Sequence, residues 1–165
     1  MKLDICTWPD PVLARKAERV TEVTPELREL IENMVETMYE GDGVGLAAPQ
    51  VGESIRLICV DQTGPKVRED LRVLINPEIV ECGGEVESEE GCLSCPQFGA
   101  KIKRKERVKV TAMNPEGEDV CIETDGFLAI ILQHEIDHLE GTTIVDRSSR
   151  LKQAMYRKKA AKWTR

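Results

Sequence analysis

Residues 127–139 form an apolar segment that is hydrophobic on almost every side when it is wound as a helix. Thr124 and Asp125 precede it as a predicted N-terminal cap, and Gly141 follows it as a predicted C-terminal cap. A helix that is apolar all round is a buried helix, so the rest of the chain must be built around it. Its polar residues therefore enter the interior, where each needs a partner: Gln133, His134, Glu135, Asp137 and His138.

The remaining segments predict an α+β fold. Thr24 and Pro25 begin an amphipathic helix that ends near Gly41, and a basic helix begins at about Leu151. Short strands are predicted at 55–60, 73–75, 79–86, 108–113 and 120–123. With 165 residues, of which 41% are hydrophobic, we expect one domain over residues 1–165. Its antiparallel strands would pack around the central buried helix, with the basic helix of 148–165 at the C-terminus.

Composition excludes several classes of protein. No apolar run approaches the roughly 18 residues that cross a bilayer, and residues 1–6 do not begin a signal peptide, so we expect a cytoplasmic protein without membrane contact. The formal net charge is −7, yet residues 148–165 carry seven Lys or Arg and no acid. A DNA-binding domain would need a wide basic face, so no DNA partner is expected.

Six cysteines in a chain of this length indicate free thiols rather than three disulfides. Cys59 and Cys121 lie in strand-like apolar runs, where a thiol is expected to behave as a small buried hydrophobe. Cys92 and Cys95 are therefore the predicted sites of any thiol chemistry.

His134 and His138 are the only histidines of the chain, and a separation of four residues places them on one face of a helix. With Glu135 they form H-E-x-x-H, in which both imidazoles bind one metal ion and the carboxylate acts as a base toward water. The alternative is a chance pair of core histidines. The motif predicts hydrolysis at a metal ion.

Such a site needs a third protein ligand and an open position. Two metalloprotease patterns fail, because Ile144 occupies the position of the third His in one and no acid follows Asp146 to serve as the third ligand in the other. Cys92 is the predicted third ligand, since Cys with two His suits zinc or ferrous iron. Two alternatives remain open: a redox pair of Cys92 with Cys95, and a closed structural zinc on both cysteines and both histidines.

Three motifs in series resemble those of peptide deformylases: GVGLAAPQ at 43–50, EGCLS at 90–94 and QHEIDH at 133–138. The resemblance covers essentially the whole chain. It implies hydrolysis of the formyl amide of N-formylmethionine on newly made polypeptides, at one divalent metal ion. Ferrous iron is the ion that the family favours, while zinc, nickel and cobalt accept the same ligands.

The resemblance also implies the roles of individual residues. Cys92, His134 and His138 would bind the metal ion, and Glu135 would take a proton from the attacking water and return it to the leaving amine. The side-chain amide of Gln50 and the backbone N–H of Leu93 would meet the negative charge that develops on the formyl oxygen.

For the substrate, the resemblance implies strand-like pairing with the backbone of Gly45. Val44, Phe127 and Ile131 would line a methionine pocket, although Phe127 and Ile131 also fit a simple core. Read without the resemblance, the glycines of 43–45 suggest a plain turn or a weak nucleotide-binding pattern.

The chain departs from the family pattern at Cys95, where an aliphatic residue is expected, and at Gly99, near which an Arg is often found. The basic helix of 148–165 is either a solvated surface or, as the resemblance implies, a contact with the ribosome. A protein without catalytic activity, stabilised by zinc or active in thiol redox chemistry, is the alternative function.

Overall fold

The computed structural model describes residues 1–163; residues 164 and 165, the end of the predicted basic helix, lie outside the described residues. The helices are α1 Pro25–Glu40, α2 Gly126–Leu139, α3 Ile144–Arg147 and α4 Arg150–Ala161, with two 3-10 helices at Pro11–Ala14 and Ala48–Val51. The strands are β1 Gly45–Ala47, β2 Leu57–Val60, β3 Arg72–Gly83, β4 Val86–Cys92, β5 Cys95–Arg104, β6 Arg107–Met113 and β7 Asp119–Asp125.

The strands form two antiparallel sheets. The larger has the order β1-β2-β3-β6-β7, so β1 and β7 are its edges, and the smaller is the hairpin of β4 and β5. Helix α2 contacts β1, β2, β6 and β7 of the larger sheet. The predicted α+β fold with antiparallel strands around a buried central helix is confirmed.

Helices α1 and α2 cover opposite faces of the larger sheet, as β2 shows. Ile58 and Val60 belong to the apolar cluster around α2, whereas Leu57 and Cys59 belong to the cluster around α1. Because consecutive strand residues point to opposite faces, a strand covered on both sides needs an unbroken apolar run. This explains the apolar run predicted as a strand at 55–60.

The predicted helix limits agree with the structure in most details. The Thr24 hydroxyl accepts a hydrogen bond from the Leu27 N–H at 3.1 Å, and Pro25 begins α1 as predicted. Asp125 is the N-cap residue of α2, but its side chain accepts no capping hydrogen bond. Phe127, in the first turn of α2, is 53% exposed, so the prediction of an entirely buried helix is wrong there.

One strand prediction and one burial prediction need correction. Segments 73–75 and 79–86 form the single strand β3 as far as Gly83, and a bulge between Ile75 and Glu78 accommodates Pro77, which has no N–H to donate. Cys121 is exposed rather than buried, because it faces outward on β7 at the edge of the sheet. Cys59 is buried as predicted, and all six cysteines are free.

A third apolar cluster joins the β4–β5 hairpin to α3 and α4. Its buried members are Cys95, Ala100, Ile102, Ile144, Val145 and Tyr156. The C-terminal helix is therefore packed against the hairpin through one face. Among residues 1–163, no helix is long and apolar enough to span a membrane.

Candidate active site

The three predicted metal ligands meet where α2 passes the end of β4. The Cys92 sulfur lies 3.4 Å from Nε2 of His138, and the ligand atoms of Cys92, His134 and His138 all lie within 4.8 Å of one another. Metal bonds of the usual lengths to sulfur and nitrogen, at a tetrahedral angle, place the two donor atoms about 3.5 Å apart. The three side chains therefore fit one ion, with a fourth position left for water.

The hairpin turn fixes the Cys92 thiol. Cys92 pairs with Cys95 across the turn, and Cys95 is only 1% exposed. The hydrogen bond from the Cys95 thiol lowers the pKa of Cys92 well below its usual value, against the raising effect of burial, and the two histidines lower it further. The same hydrogen bond, with burial, raises the pKa of Cys95. Within the described part of the chain, Cys95 is not a member of the ligand group.

A carboxylate behind His134 orients that ligand. Nδ1 of His134 lies 2.9 Å from Oε1 of Glu90, and the Arg104 guanidinium donates to both Glu90 oxygens at 2.7 and 2.8 Å. Burial raises the pKa of Glu90, but the hydrogen bonds from Arg104 and His134 outweigh it and lower the pKa to about 2. Because the ionised carboxylate only accepts, Nδ1 of His134 carries a hydrogen, so Nε2 is the nitrogen that remains to bind a metal ion.

The ion pairs continue away from the site through Asp137. Arg104 donates to Oδ2 of Asp137 at 2.6 Å, and Arg147 of α3 donates to both Asp137 oxygens at 2.5 and 2.8 Å. Arg104 is buried, so its positive charge requires the carboxylates of both Glu90 and Asp137. The network ties α2 to the hairpin and to α3.

Glu135 differs from Glu90 because no described arginine donates a hydrogen bond to it. It is 4% exposed, and its Oε2 lies 3.9 Å from Nε2 of His134. Among residues 1–163, its Oε1 has no hydrogen-bond partner. Burial raises the pKa of Glu135, against the lowering effect of the two histidines. Nδ1 of His138 is also buried, and no described residue forms a hydrogen bond with it.

Gly45 leaves room for that carboxylate. A Cβ atom at Gly45 would lie 2.5 Å from Oε2 of Glu135 and 2.9 Å from its Cδ, which is closer than real Cβ atoms approach other atoms. The absence of a side chain at position 45 is thus a condition for the position of Glu135.

Gln50 presents its amide nitrogen to the site. Its Oε1 accepts the Ala47 N–H at 2.9 Å, while its Nε2 donates to Oγ of Ser94 at 3.1 Å and lies 3.5 Å from the Cys92 sulfur. Leu93 occupies the turn between β4 and β5, and its side chain lies 3.1 Å from the position of a Cβ on Gly41. The turn between β4 and β5 therefore packs against Gly41, at the C-terminal end of α1.

A cavity of about 520 Å³ collects the predicted site residues except His138, which is buried behind it. Its lining includes Val44, Gly45, Gln50, Cys92, Leu93, Phe127, Ile131, His134 and Glu135. Phe127 is a wall of this cavity rather than core, and Ile131 is buried beneath it. Strand β1, at the edge of its sheet, borders the cavity.

The network of Glu90, Arg104 and Arg147 was not predicted from the sequence. Asp137 was expected to need a partner, but neither arginine is near it in sequence, and Glu90 lies in an acidic run that resembles a solvated surface. Glu90 begins the second motif, two residues before Cys92, and that proximity is the signal that could have identified it.

Comparisons with known proteins agree on one family. Residues 2–154 match the family model described as polypeptide deformylase. A peptide deformylase of Thermodesulfovibrio yellowstonii is 52% identical over 157 residues, which are 95% of each chain. Peptide deformylase 3 of Shewanella oneidensis is 48% identical over 162 residues, 98% of each chain.

Solved structures agree as well. The peptide deformylase of Legionella pneumophila superposes with a TM-score of 0.93 at 42% identity, covering 99% of this chain and 96% of that one. The peptide deformylase of Thermotoga maritima gives a TM-score of 0.84 at 45% identity, covering 90% of this chain and 99% of that one.

Proposed function

Because the chain belongs to the polypeptide deformylase family, we propose that Cys92, His134 and His138 hold the single metal ion of its active site. The chain is a metal-dependent hydrolase that removes the formyl group from the N-terminus of newly made polypeptides. The observation that carries the ligand assignment is the meeting of one sulfur and two imidazoles within 4.8 Å of one another. We also propose that residues 1–165 form one catalytic domain.

Ferrous iron is the proposed ion, and zinc, nickel or cobalt would occupy the same ligands. One thiolate with two imidazoles forms a site of intermediate softness, which all four ions accept. An ion held by Cys92, His134 and His138 would polarise the formyl carbonyl and would lower the pKa of a bound water molecule.

Glu135 is the proposed acid and base. Its unpartnered Oε1 is free to accept the proton of the attacking water and to deliver it to the amine that leaves. The position next to His134 holds the carboxylate at the metal site, and Gly45 allows it to stand there. No other described residue that lines the cavity offers a buried carboxylate oxygen without a partner.

Gln50 and Leu93 are the proposed donors to the formyl oxygen. Because the Ala47 N–H fixes Oε1 of Gln50, the amide cannot turn over without losing that bond, and Nε2 stays toward Cys92. The N–H of Leu93 lies in the adjoining turn. Donors that are already oriented stabilise charge at little reorganisation cost, so both groups would favour the tetrahedral transition state.

The proposed substrate binds as an extended strand along β1. The free edge of β1 borders the cavity at Gly45, where backbone groups pair with a peptide without regard to its side chains. Val44, Phe127 and Ile131 then line the pocket for the methionine side chain. The exposure of Phe127 supports this role, since a phenyl ring at a cavity wall gains contact when it is covered.

The decisive experiment joins metal analysis to a formate assay under anaerobic conditions. We expect one ion per chain and release of formate from a formyl-methionyl peptide. Cys92→Ser should lose both, while Cys121→Ser, at an exposed thiol, should keep both. Metal-replete protein that releases no formate would contradict the assignment, and would favour the closed structural site or the redox pair instead.

The basic helix is proposed to contact the ribosome in the cytoplasm, where newly made polypeptides emerge. On α4 and the residue after it, Lys158, Lys159 and Lys162 are exposed, whereas Tyr156 and Ala160 are buried against the rest of the chain. The charge of the three lysines can therefore be changed without altering the buried residues that pack α4 against the rest of the chain.

Charge reversal of Lys158, Lys159 and Lys162 should therefore abolish salt-sensitive cosedimentation with ribosomes and leave formate release from a free peptide intact. Reversal of three exposed cations elsewhere, Lys2, Arg19 and Lys66, is the matched control. Equal loss of cosedimentation in both variants would refute a specific contact through α4.

A further inference from the structure

One part of the cavity wall has no role in metal binding or in the proposed proton transfer. Gln97 and Phe98 of β5 line the cavity, and Phe98 is half-buried there. This segment lies at the departure from the family pattern, where no Arg stands near Gly99.

Tyr156 of α4 holds Phe98 in place. The ring centroids of the two residues are 4.8 Å apart at an angle of 52°, and the Tyr156 hydroxyl donates to the Pro96 carbonyl at 2.8 Å. Tyr156 is only 3% exposed, because Trp8 and Trp163 also pack on it. A ring supported in this way loses little conformational freedom when a ligand contacts it.

The charges around the cavity do not favour an acidic ligand. Asp42 and Glu89 are exposed in its lining, and the described lining contains no Lys or Arg. A carboxylate on a bound peptide would meet like charge, whereas an apolar side chain would meet the Phe98 ring.

We propose that Phe98 is a specificity-determining residue that favours aromatic over acidic residues at the second or third position of the formyl-methionyl substrate. The proposal rests on the proposed function and specifies its substrate class. Aromatic pairs in contact gain attraction beyond the area that they bury, and the Tyr156 contact keeps the Phe98 ring available for such a pair.

The test compares kcat/KM for formyl-Met-X-Ser and formyl-Met-Ser-X peptides, with X as Phe, Leu or Asp. For the wild-type chain, the Phe to Asp ratio should exceed one at one of the two positions. Phe98→Ala should lower that ratio by about 3- to 10-fold. Val67→Ala, at an exposed apolar residue outside the cavity, should keep the wild-type ratio.

Phe98→Leu is the second variant, since it keeps apolar bulk and removes only the ring. It should lower the Phe to Leu ratio while leaving the Leu to Asp ratio within twofold of the wild-type value. A Phe to Asp ratio that Phe98→Ala leaves unchanged, or a Phe to Leu ratio that Phe98→Leu leaves unchanged, would overturn the proposal. Failure of the wild-type chain to release formate from every peptide would instead refute the proposed function.

Discussion

Glu135 and Asp61 are two buried carboxylates beside the same short stretch of chain, and their surroundings differ. Gly45 leaves space for Glu135, while the preceding residue, Val44, accepts the Asp61 N–H at 2.8 Å. Asp61 accepts hydrogen bonds from the Tyr39 hydroxyl at 2.6 Å and from both donors of Thr63. Glu135 has one oxygen that forms no hydrogen bond with any described residue.

The two pKa values follow from that difference. Burial raises the pKa of Asp61, but the bonds from Thr63 and Tyr39 outweigh it and lower the pKa. At Glu135 burial prevails, and the pKa is raised. A buried carboxylate that is fully hydrogen-bonded stabilises the fold, whereas one with a free oxygen is available for chemistry at a cost in stability.

Glu135→Gln is the strongest test of this contrast. It should lower kcat by about 10²- to 10⁴-fold, because no acid or base remains at that position, while metal content stays at one ion per chain. The melting temperature should not fall, since an unpartnered buried carboxylate is removed. Glu32→Gln, at an exposed position on α1, should match the wild-type chain in all three measurements. Loss of the metal ion together with activity would show that Glu135 has a structural role instead.

Gly45→Ala tests whether the close approach of the β1 backbone positions the Glu135 carboxylate. The new Cβ would overlap Glu135, so the carboxylate must move, and a displacement of about 1 Å costs on the order of 10²-fold in rate. Formate release under saturating substrate measures this. Gly99→Ala is the control, because a Cβ there meets its nearest neighbour at an ordinary 3.8 Å. Equal rates for the two variants would mean that the approach of β1 does not position Glu135.

Glu90→Gln tests a third buried carboxylate, which resembles Asp61 in its bonding but serves a proposed ligand. The neutral amide that this change introduces would orient the His134 imidazole less firmly and would no longer neutralise the buried Arg104 charge. Metal affinity should therefore fall by about 10- to 100-fold. Competition with a chelator gives the affinity. The adjacent exposed Glu89, changed to Gln, should leave it unchanged.

Asp61→Asn should have the smallest effect, and on stability rather than rate. The loss of charged hydrogen bonds should lower the free energy of unfolding at pH 7 by about 1.5 to 3 kcal/mol. Because the folded pKa lies below the unfolded value of about 4, this contribution is full above that pH and is lost as pH falls through the folded pKa.

Urea unfolding at several pH values would therefore show a gap between the wild-type chain and Asp61→Asn that narrows below about pH 4. Asp119→Asn, at an exposed carboxylate, should show no gap at any pH. If the difference in free energy of unfolding did not change with pH, Asp61 would stabilise the fold through packing rather than through its charge.

Features set by local chemistry were predictable from the sequence. The Thr24 cap, the limits of α1 and the position of His134 and His138 on one helix depend on neighbouring residues alone. The unbroken apolar run of β2 likewise indicated a strand, and the structure shows why it needed no polar face.

Features set by distant pairing were not predictable. Glu90 meets Arg104 because β4 and β5 pair as a hairpin, and Asp137 meets Arg147 only after α3 folds back toward α2. The exposure of Phe127 and of Cys121 depends on which face of an element the neighbouring elements cover. Apolar residue type alone does not carry that information.

Strand β1 has only three residues, and its open edge faces a cavity between α2 and the β4–β5 hairpin. A sheet edge recessed in this way admits a single extended backbone and excludes a folded surface. If the substrate pairs with this edge as proposed, the enzyme would act only while the beginning of a polypeptide is still unstructured. Deformylation at this site would compete in time with the folding of the substrate, and a chain whose first residues fold early would escape it.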